Sequence, residues 1–107
     1  MKTLAATIVL TSTLFAVLPA SAAEHVVDQI KEKFDKDTLS IKVGDSVAFT
    51  NSDPVKHNLT VVTPDEDSKD LGMEQPGTKV AYAPPKAGTY DVRCSIHPKM
   101  KMKIKVE

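Results

Sequence analysis

The segment from Cys94 to Met100 brings three metal-binding side chains close together in the sequence. It contains the thiol of Cys94, the imidazole of His97 and the thioether of Met100 within seven residues. Soft sulfur ligands together with imidazole select copper, and two histidines, one cysteine and a weak axial methionine form a trigonal copper site. A loop that bends these side chains onto one point is therefore predicted to hold copper.

A trigonal site of this kind needs a second histidine, and His57 is the candidate. His57, Leu59 and Val61 share one parity, and the residues between them are polar. Side chains alternate between the two faces of a strand, so His57 is predicted to head a strand and to point inward with Leu59 and Val61. Two methionines, Met100 and Met102, follow in the sequence and leave the axial position open at this point.

Short alternating segments separated by turn signals predict the elements that position these residues. The turn signals are Gly44-Asp45 and the segment 84–88. The inward-facing sets are Leu39/Ile41/Val43, Val47/Phe49, His57/Leu59/Val61, Tyr90/Val92/Cys94 and Met102/Ile104/Val106. Several short strands of this kind predict an all-β fold, a sandwich or a barrel. Residues 28–37 are also compatible with a helical face, and residues 65–77 are expected to form a loop that begins with an acidic run.

Residues 1–22 have the pattern of a secretory signal peptide. Lys2 precedes a largely apolar stretch, and Ala20-Ser21-Ala22 supplies the small residues of a cleavage site. Cleavage is expected after Ala22, with Ala23 as the alternative, and it would export a single domain of residues 23–107 to the periplasm or the cell exterior. Cleavage after Ala22 would also make His25 the third residue, and a free amine with such a histidine can bind Cu(II) in a square-planar site.

Composition excludes several classes of protein. The chain has 14 Lys and Arg against 14 Asp and Glu, so its net charge is zero and a general nucleic-acid binder is not expected. Its one cysteine cannot form an internal disulfide. A single cysteine in an exported domain is either buried and inert, a metal ligand or a reactive thiol.

Three motifs together resemble the cupredoxins, the small blue-copper proteins that carry electrons. They are Gly88-Thr89-Tyr90, the segment Cys94–Met100 and the upstream His57-Asn58, and the Cys-x₂-His-x₂-Met spacing is most similar to the amicyanins. The resemblance covers essentially all of residues 23–107. It implies a Greek-key β-sandwich with one type 1 copper ion near one end.

The resemblance also implies a role for each site residue. His57, Cys94 and His97 would be equatorial ligands and Met100 the axial one, because Met100 keeps the last strand in register with the amicyanin pattern. Met102 is the alternative, since it has the spacing found in plastocyanins. Asn58 would connect the two ligand segments by hydrogen bonding. Ile96, which replaces a common proline, would be free to donate its N–H to the cysteine sulfur.

The function implied is that of a monomeric periplasmic electron carrier and not of an enzyme. Its partners would be a dehydrogenase donor and a c-type cytochrome or oxidase acceptor, without nucleic acid or stable membrane association. A copper carrier or storage protein is the alternative, suggested by the pair Met100 and Met102. A thiol enzyme using Cys94 and His97 is a third hypothesis, for which a domain of this size offers little room for a cleft.

Charged surfaces add an expectation about docking. Lys99 stands where amicyanins usually have a large apolar residue, so docking is expected to be more electrostatic. Two further groups are either solvated surfaces or steering patches that set association rates. They are Lys101, Lys103 and Lys105 on the outward face of the last strand, and Asp65, Glu66, Asp67 and Asp70 in the acidic segment.

Overall fold

A computed structural model describes residues 6–8 and 22–107, and the regular structure among them is entirely β. The strands are β1 (Glu24–Ile30), β2 (Lys33–Phe34), β3 (Thr38–Ile41), β4 (Ser46–Asn51), β5 (His57–Val62), β6 (Ser68–Glu74), β7 (Lys79–Tyr82), β8 (Gly88–Arg93) and β9 (Lys101–Val106). Nothing in this part of the chain is a helix with the length and apolar character needed to cross a membrane. The predicted signal peptide, residues 1–22, lies largely outside the described residues.

The strands form two sheets that pack face to face. One sheet has the order β2-β1-β4-β7 and the other has the order β3-β9-β8-β5-β6. The core between them contains Val27 and Phe49 from the first sheet, and Leu59, Tyr90 and Ile104 from the second, all with an exposed fraction of 0%. The predicted all-β sandwich is therefore confirmed.

The predicted alternation holds in the strands that lead to the candidate site. Tyr90, Val92 and Cys94 are buried along β8 and just beyond it, and the apolar residues of β9 are buried while its lysines are exposed. Val43 is the exception, because β3 ends at Ile41 and the chain then turns. The Asp45 N–H donates to the Lys42 carbonyl across this turn, and Val43 is exposed.

Two segments differ from the sequence-based interpretation. Residues 28–37 form no helix but a hairpin of β1 and β2, whose two turn residues, Lys31 and Glu32, have φ of 54° and 56°. Two consecutive left-handed residues suit a tight hairpin turn, although glycine and asparagine usually occupy such positions. The expected loop over residues 65–77 is also wrong, since β6 fills most of it and pairs with β5 as an edge strand. The acidic loop shrinks to the connection before Ser68.

Candidate metal centre

Three donor atoms from different parts of the sequence converge at one end of the sandwich. His57 lies at the start of β5, and Cys94 and His97 lie in the loop after β8; their Nδ1, Sγ and Nδ1 atoms are all within 4.8 Å of one another. The two histidine nitrogens are 3.0 Å apart, and the sulfur lies 4.0 Å from that of His57 and 3.6 Å from that of His97. Nitrogen lies at about 2 Å and sulfur at about 2.3 Å from a bound ion, so donors that share one ion are about 3.5 Å apart. The observed separations are close to this value, and the donor set therefore fits a single metal.

The β8–β9 loop is closed by two backbone hydrogen bonds. The Cys94 N–H donates to the Met100 carbonyl at 3.2 Å, and the Met100 N–H donates to the His97 carbonyl at 2.9 Å. Because Val92 pairs with Met102 in the β8–β9 ladder, the next inward pair along it is Cys94 and Met100. Opposed residues share a face of the sheet, so Met100 is the methionine beside the cysteine. Met102 belongs to the hydrophobic core one step further along.

A buried carboxylate fixes the orientation of the His57 ring. Asp53 Oδ2 lies 2.6 Å from His57 Nε2, and both residues are buried. Burial opposes ionisation of Asp53, but hydrogen bonds from the Glu32 N–H, the His57 ring and the Lys31 N–H outweigh it and lower the pKa of the carboxyl. An ionised Asp53 requires a proton on Nε2, which leaves the Nδ1 lone pair directed at the other donors.

Asn58 connects the segments that carry His57 and Cys94. Its backbone N–H donates to Cys94 Sγ at 3.3 Å, and its side-chain carbonyl accepts the Ser95 N–H at 3.3 Å. Its amide nitrogen donates to Asp70 Oδ1 at 2.9 Å. The structure thus assigns to Asn58 the sulfur hydrogen bond that the sequence suggested for Ile96, whose side chain is exposed. Asp70, which the sequence grouped with the acidic patch, is exposed and also belongs to this network.

His97 is the one of the three donor residues that solvent reaches. Its side chain is 26% exposed, whereas His57 is 0% and Cys94 1% exposed. Its outward nitrogen, Nε2, lies 3.6 Å from Glu32 Oε1 in the β1–β2 turn. The buried sulfur does not offer a nucleophile to a substrate, so the geometry does not support the thiol-enzyme hypothesis. The exposed ring edge of His97 provides a short route from the site to the surface.

A second buried carboxyl lies close to His57. Glu74 is 1% exposed and pairs with His57 in the β5–β6 ladder, and its Oε2 accepts a hydrogen bond from Gln29 Nε2 at 2.6 Å. Among the described residues, neither Glu74 Oε1 nor Gln29 Oε1 has a hydrogen-bond partner. Burial raises the pKa of Glu74 to about 6, against the hydrogen bond from Gln29. Sequence reasoning missed both residues: Glu74 reaches His57 by strand pairing, and Asp53, only four residues from His57, reaches it by the path of the β4–β5 loop.

His25 lies at the opposite end of the sandwich, next to Asp45, and its square-planar Cu(II) site stays a prediction. Its Nε2 is 3.0 Å from Asp45 Oδ2, and the Ala23 N–H donates to Asp45 Oδ1 at 3.0 Å. Hydrogen bonds from His25, Ala23 and Lys42 lower the pKa of Asp45 to about 2. A square-planar site would wrap the backbone nitrogens around the ion, but β1 is already extended and paired with β4 from Glu24 onward. In the described chain, His25 is therefore a hydrogen-bond partner of Asp45.

Comparison with known proteins identifies this arrangement. The family described as copper binding proteins, plastocyanin/azurin family, matches residues 22–107. The chain belongs to this family. It is 34% identical over 95 residues to amicyanin of Paracoccus denitrificans, covering 87% of this chain and 72% of that protein. It is also 34% identical over 89 residues to the methylamine utilization protein MauL of Methylorubrum extorquens, covering 83% of this chain and 78% of that protein.

Solved structures agree with this assignment. The reduced form of an amicyanin variant has a TM-score of 0.72 and 33% sequence identity, covering 86% of this chain and 88% of that chain. The Cu(I) form of another amicyanin variant has the same TM-score of 0.72, with the same identity and coverage. The resemblance to the cupredoxins is thus confirmed, and with it the Greek-key sandwich fold and the copper cofactor. The chain is an electron-transfer protein of this family and not an enzyme.

Removing the carboxylate that orients His57 is expected to weaken copper binding. Asp53→Asn preserves the shape of the side chain but no longer holds His57 through an anionic acceptor, and loss of such a partner typically lowers metal affinity about 10- to 100-fold. Competition with a Cu(II) chelator measures the change. Asp35→Asn is the matched control, because Asp35 also accepts a backbone N–H in the same hairpin. Equal affinities for the Asp53 variant and the wild type would contradict the role assigned to Asp53.

Glu74 predicts a pH dependence of stability in the copper-free protein. Its folded pKa is raised from 4.5 to about 6, so the folded state binds the proton more tightly and loses stability as the pH rises through this interval. The loss is about 2 kcal/mol between pH 4.5 and 7.5. Glu74→Gln should remove it, so urea unfolding should show the variant gaining about that much over the wild type at the higher pH. Glu66→Gln, at an exposed carboxylate, should show no such gain; a constant difference for Glu74→Gln would refute the prediction.

Proposed function

We propose that His57, Cys94 and His97 bind one type 1 copper ion as equatorial ligands and that Met100 is the axial ligand. The observation that carries this proposal is the convergence of two imidazole nitrogens and one thiol sulfur within 4.8 Å. The position of Met100 opposite Cys94, closed by the hydrogen bond between their backbones, supports the choice of Met100 over Met102. Met102 lies opposite Val92 and not opposite Cys94, so it is the less favoured alternative.

The residues around the site restrict movement of the ligands. Bound copper supplies one-electron exchange between Cu(I) and Cu(II). Asp53 holds the His57 ring, and the Asn58 N–H donates to the Cys94 sulfur and so stabilises its thiolate charge. Ligands held in this way reorganise little when the charge of the site changes, and the hydrogen bond to sulfur tunes the reduction potential. Electrons enter and leave through the exposed edge of His97.

The chain works in the periplasm as a monomer of residues 23–107, after removal of residues 1–22. Its electron donor is a dehydrogenase and its acceptor is a c-type cytochrome or an oxidase. The likeness to amicyanin and to a methylamine utilization protein supports an amine-oxidising system as the donor side. Because docking occurs at the His97 edge, one surface serves donor and acceptor in turn.

Burial of the methionines favours electron transfer over the alternative of a copper carrier. Met100 is 1% and Met102 3% exposed, so they form no surface pair through which a copper ion passes to another protein. The two side chains also occupy different positions, since Met100 lies in the loop before β9 and Met102 lies in β9 opposite Val92. Family membership points to the same conclusion.

The ligand assignment predicts different spectra for two methionine variants. Copper-loaded protein should show an intense visible thiolate-to-copper band that is absent in Cys94→Ser. Met100→Ala should shift this band and alter the Cu(II) electron paramagnetic resonance spectrum, because it removes the axial ligand. Met102→Ala should leave both spectra unchanged but lower the free energy of unfolding by about 2–5 kcal/mol, as expected for a core methionine. Spectral change in the second variant alone would make Met102 the axial ligand.

The electron-carrier function predicts that copper stays bound through repeated oxidation and reduction. Protein-film voltammetry should give a reversible one-electron wave whose area is unchanged after many cycles with a Cu(I) chelator in solution. His97→Gly, which removes the exposed ligand and electron route, should abolish the reversible wave. Loss of copper to the chelator during the first reductions would instead support the carrier alternative.

A further inference from the structure

Three lysines surround the exposed edge of His97. Lys31 and Lys33 come from the β1–β2 hairpin and Lys99 from the β8–β9 loop, and they line one shallow groove with Ile96, His97 and Pro98. All three lysines are exposed, and none takes part in a salt bridge among residues 22–107. Glu32 is the single acidic residue of the groove. The sequence pointed only to Lys99; the other two reach this surface through the hairpin.

Acidic side chains collect at the opposite end of the sandwich. Asp65, Glu66 and Asp67 lie in the loop after Val62, the last residue of β5, whereas His57 is the first residue of β5. Six residues of strand separate the two ends by about 20 Å. Pro64, in the same acidic loop, lies against Gly88 at the start of β8, and Cys94 follows the end of that strand. The lysines of the groove therefore lie at the copper end, and the acidic loop, where Lys86 pairs with Asp65, lies at the other end.

We propose that Lys31, Lys33 and Lys99, here called the lysine rim, dock an acidic redox protein with its carboxylates around the edge of His97. This inference rests on the proposed function, since it uses His97 as the electron route. The exposed side chains of Ile96 and Pro98 supply a small apolar centre, and the lysine rim encloses it. Interfaces commonly combine an apolar centre with a polar rim, and charge at the rim mainly sets the association rate.

The lysines of the rim orient this encounter, because they place positive charge at the copper end. A protein with positive charge at one end and negative charge at the other turns its positive end toward an acidic surface before contact, which raises the association rate at low ionic strength. The Glu32 carboxylate lies 3.6 Å from His97 Nε2 and lowers the positive potential at the ring. Carboxylates of the partner are therefore directed to the lysine rim and not onto the His97 ring. An acidic redox protein fits both features.

Oxidation of the copper-loaded protein by small reagents of opposite charge tests the rim. The reduced protein is mixed by stopped flow with hexacyanoferrate(III) and, separately, with tris(phenanthroline)cobalt(III). The variant is Lys31→Gln/Lys33→Gln/Lys99→Gln, and the matched control is Lys42→Gln/Lys103→Gln/Lys105→Gln, which removes the same charge away from the groove. At low ionic strength the rim variant should slow the anionic oxidant about tenfold and accelerate the cationic one, whereas the control should change either rate by less than about twofold.

A carboxylate polymer tests recognition of an acidic protein surface directly. With poly-L-glutamate added to the Cu(I) protein, amide shifts in a nitrogen–proton correlation spectrum should change at residues 31–33 and 96–99. Changes centred on Lys103 and Lys105, or equal rate effects of the two triple variants, would overturn the docking proposal. The visible band and midpoint potential of the rim variant distinguish failure of the docking proposal from failure of the proposed electron-transfer function. If both match the wild type while the rates do not respond, docking fails and electron transfer stands; if the wild type has no such band, the proposed function itself fails.

Discussion

The buried carboxylate of Asp53 joins the copper site to the surface that surrounds it. One oxygen accepts the Lys31 N–H and the other lies within hydrogen-bond distance of both the Glu32 N–H and the His57 ring. The first two contacts hold a turn whose residues both have left-handed φ without the help of glycine. The third fixes the imidazole. A single ionised group therefore sets the orientation of a ligand and the position of the hairpin that borders His97.

This arrangement places several polar groups in a small protein interior. The buried polar residues at the copper end are Asp53, His57, Asn58 and Glu74. Ionisation of Glu74 costs free energy in the folded state, since burial raises its pKa to about 6. A small domain has little stability in reserve, so groups positioned for a metal site lower the stability of the metal-free fold. Copper that binds the folded chain more tightly than the unfolded one offsets this cost by mass action. Stability and site geometry are thus linked through the same residues.

The sequence predicted strand parity and ligand spacing, and it missed features that depend on the path of a loop or on pairing between strands. The alternation in β8 and β9 places Cys94 and Met102 correctly, because strand parity is a property of adjacent residues. The ligand spacing in residues 94–100 is likewise a loop feature that can be read directly. Asp53 was missed because its contact with His57 depends on the path of a loop. The edge strand β6 was missed because most of its residues are exposed and a register shift in its pairing with β5 interrupts the alternation.

The β8–β9 loop carries the candidate sulfur ligands on its buried side and the residues that surround His97 on its exposed side. Cys94 and Met100 point inward at the two ends of the loop and are joined by a backbone hydrogen bond, whereas Ile96, Pro98 and Lys99 are exposed. A substitution at an exposed position changes the charge around His97 without moving either sulfur. The hairpin that carries Lys31 and Lys33 is held from behind by the Asp53 carboxylate and not by the side chains that face the partner. Partner preference can therefore change by surface substitution while the ligand geometry, which is fixed by buried hydrogen bonds, stays the same.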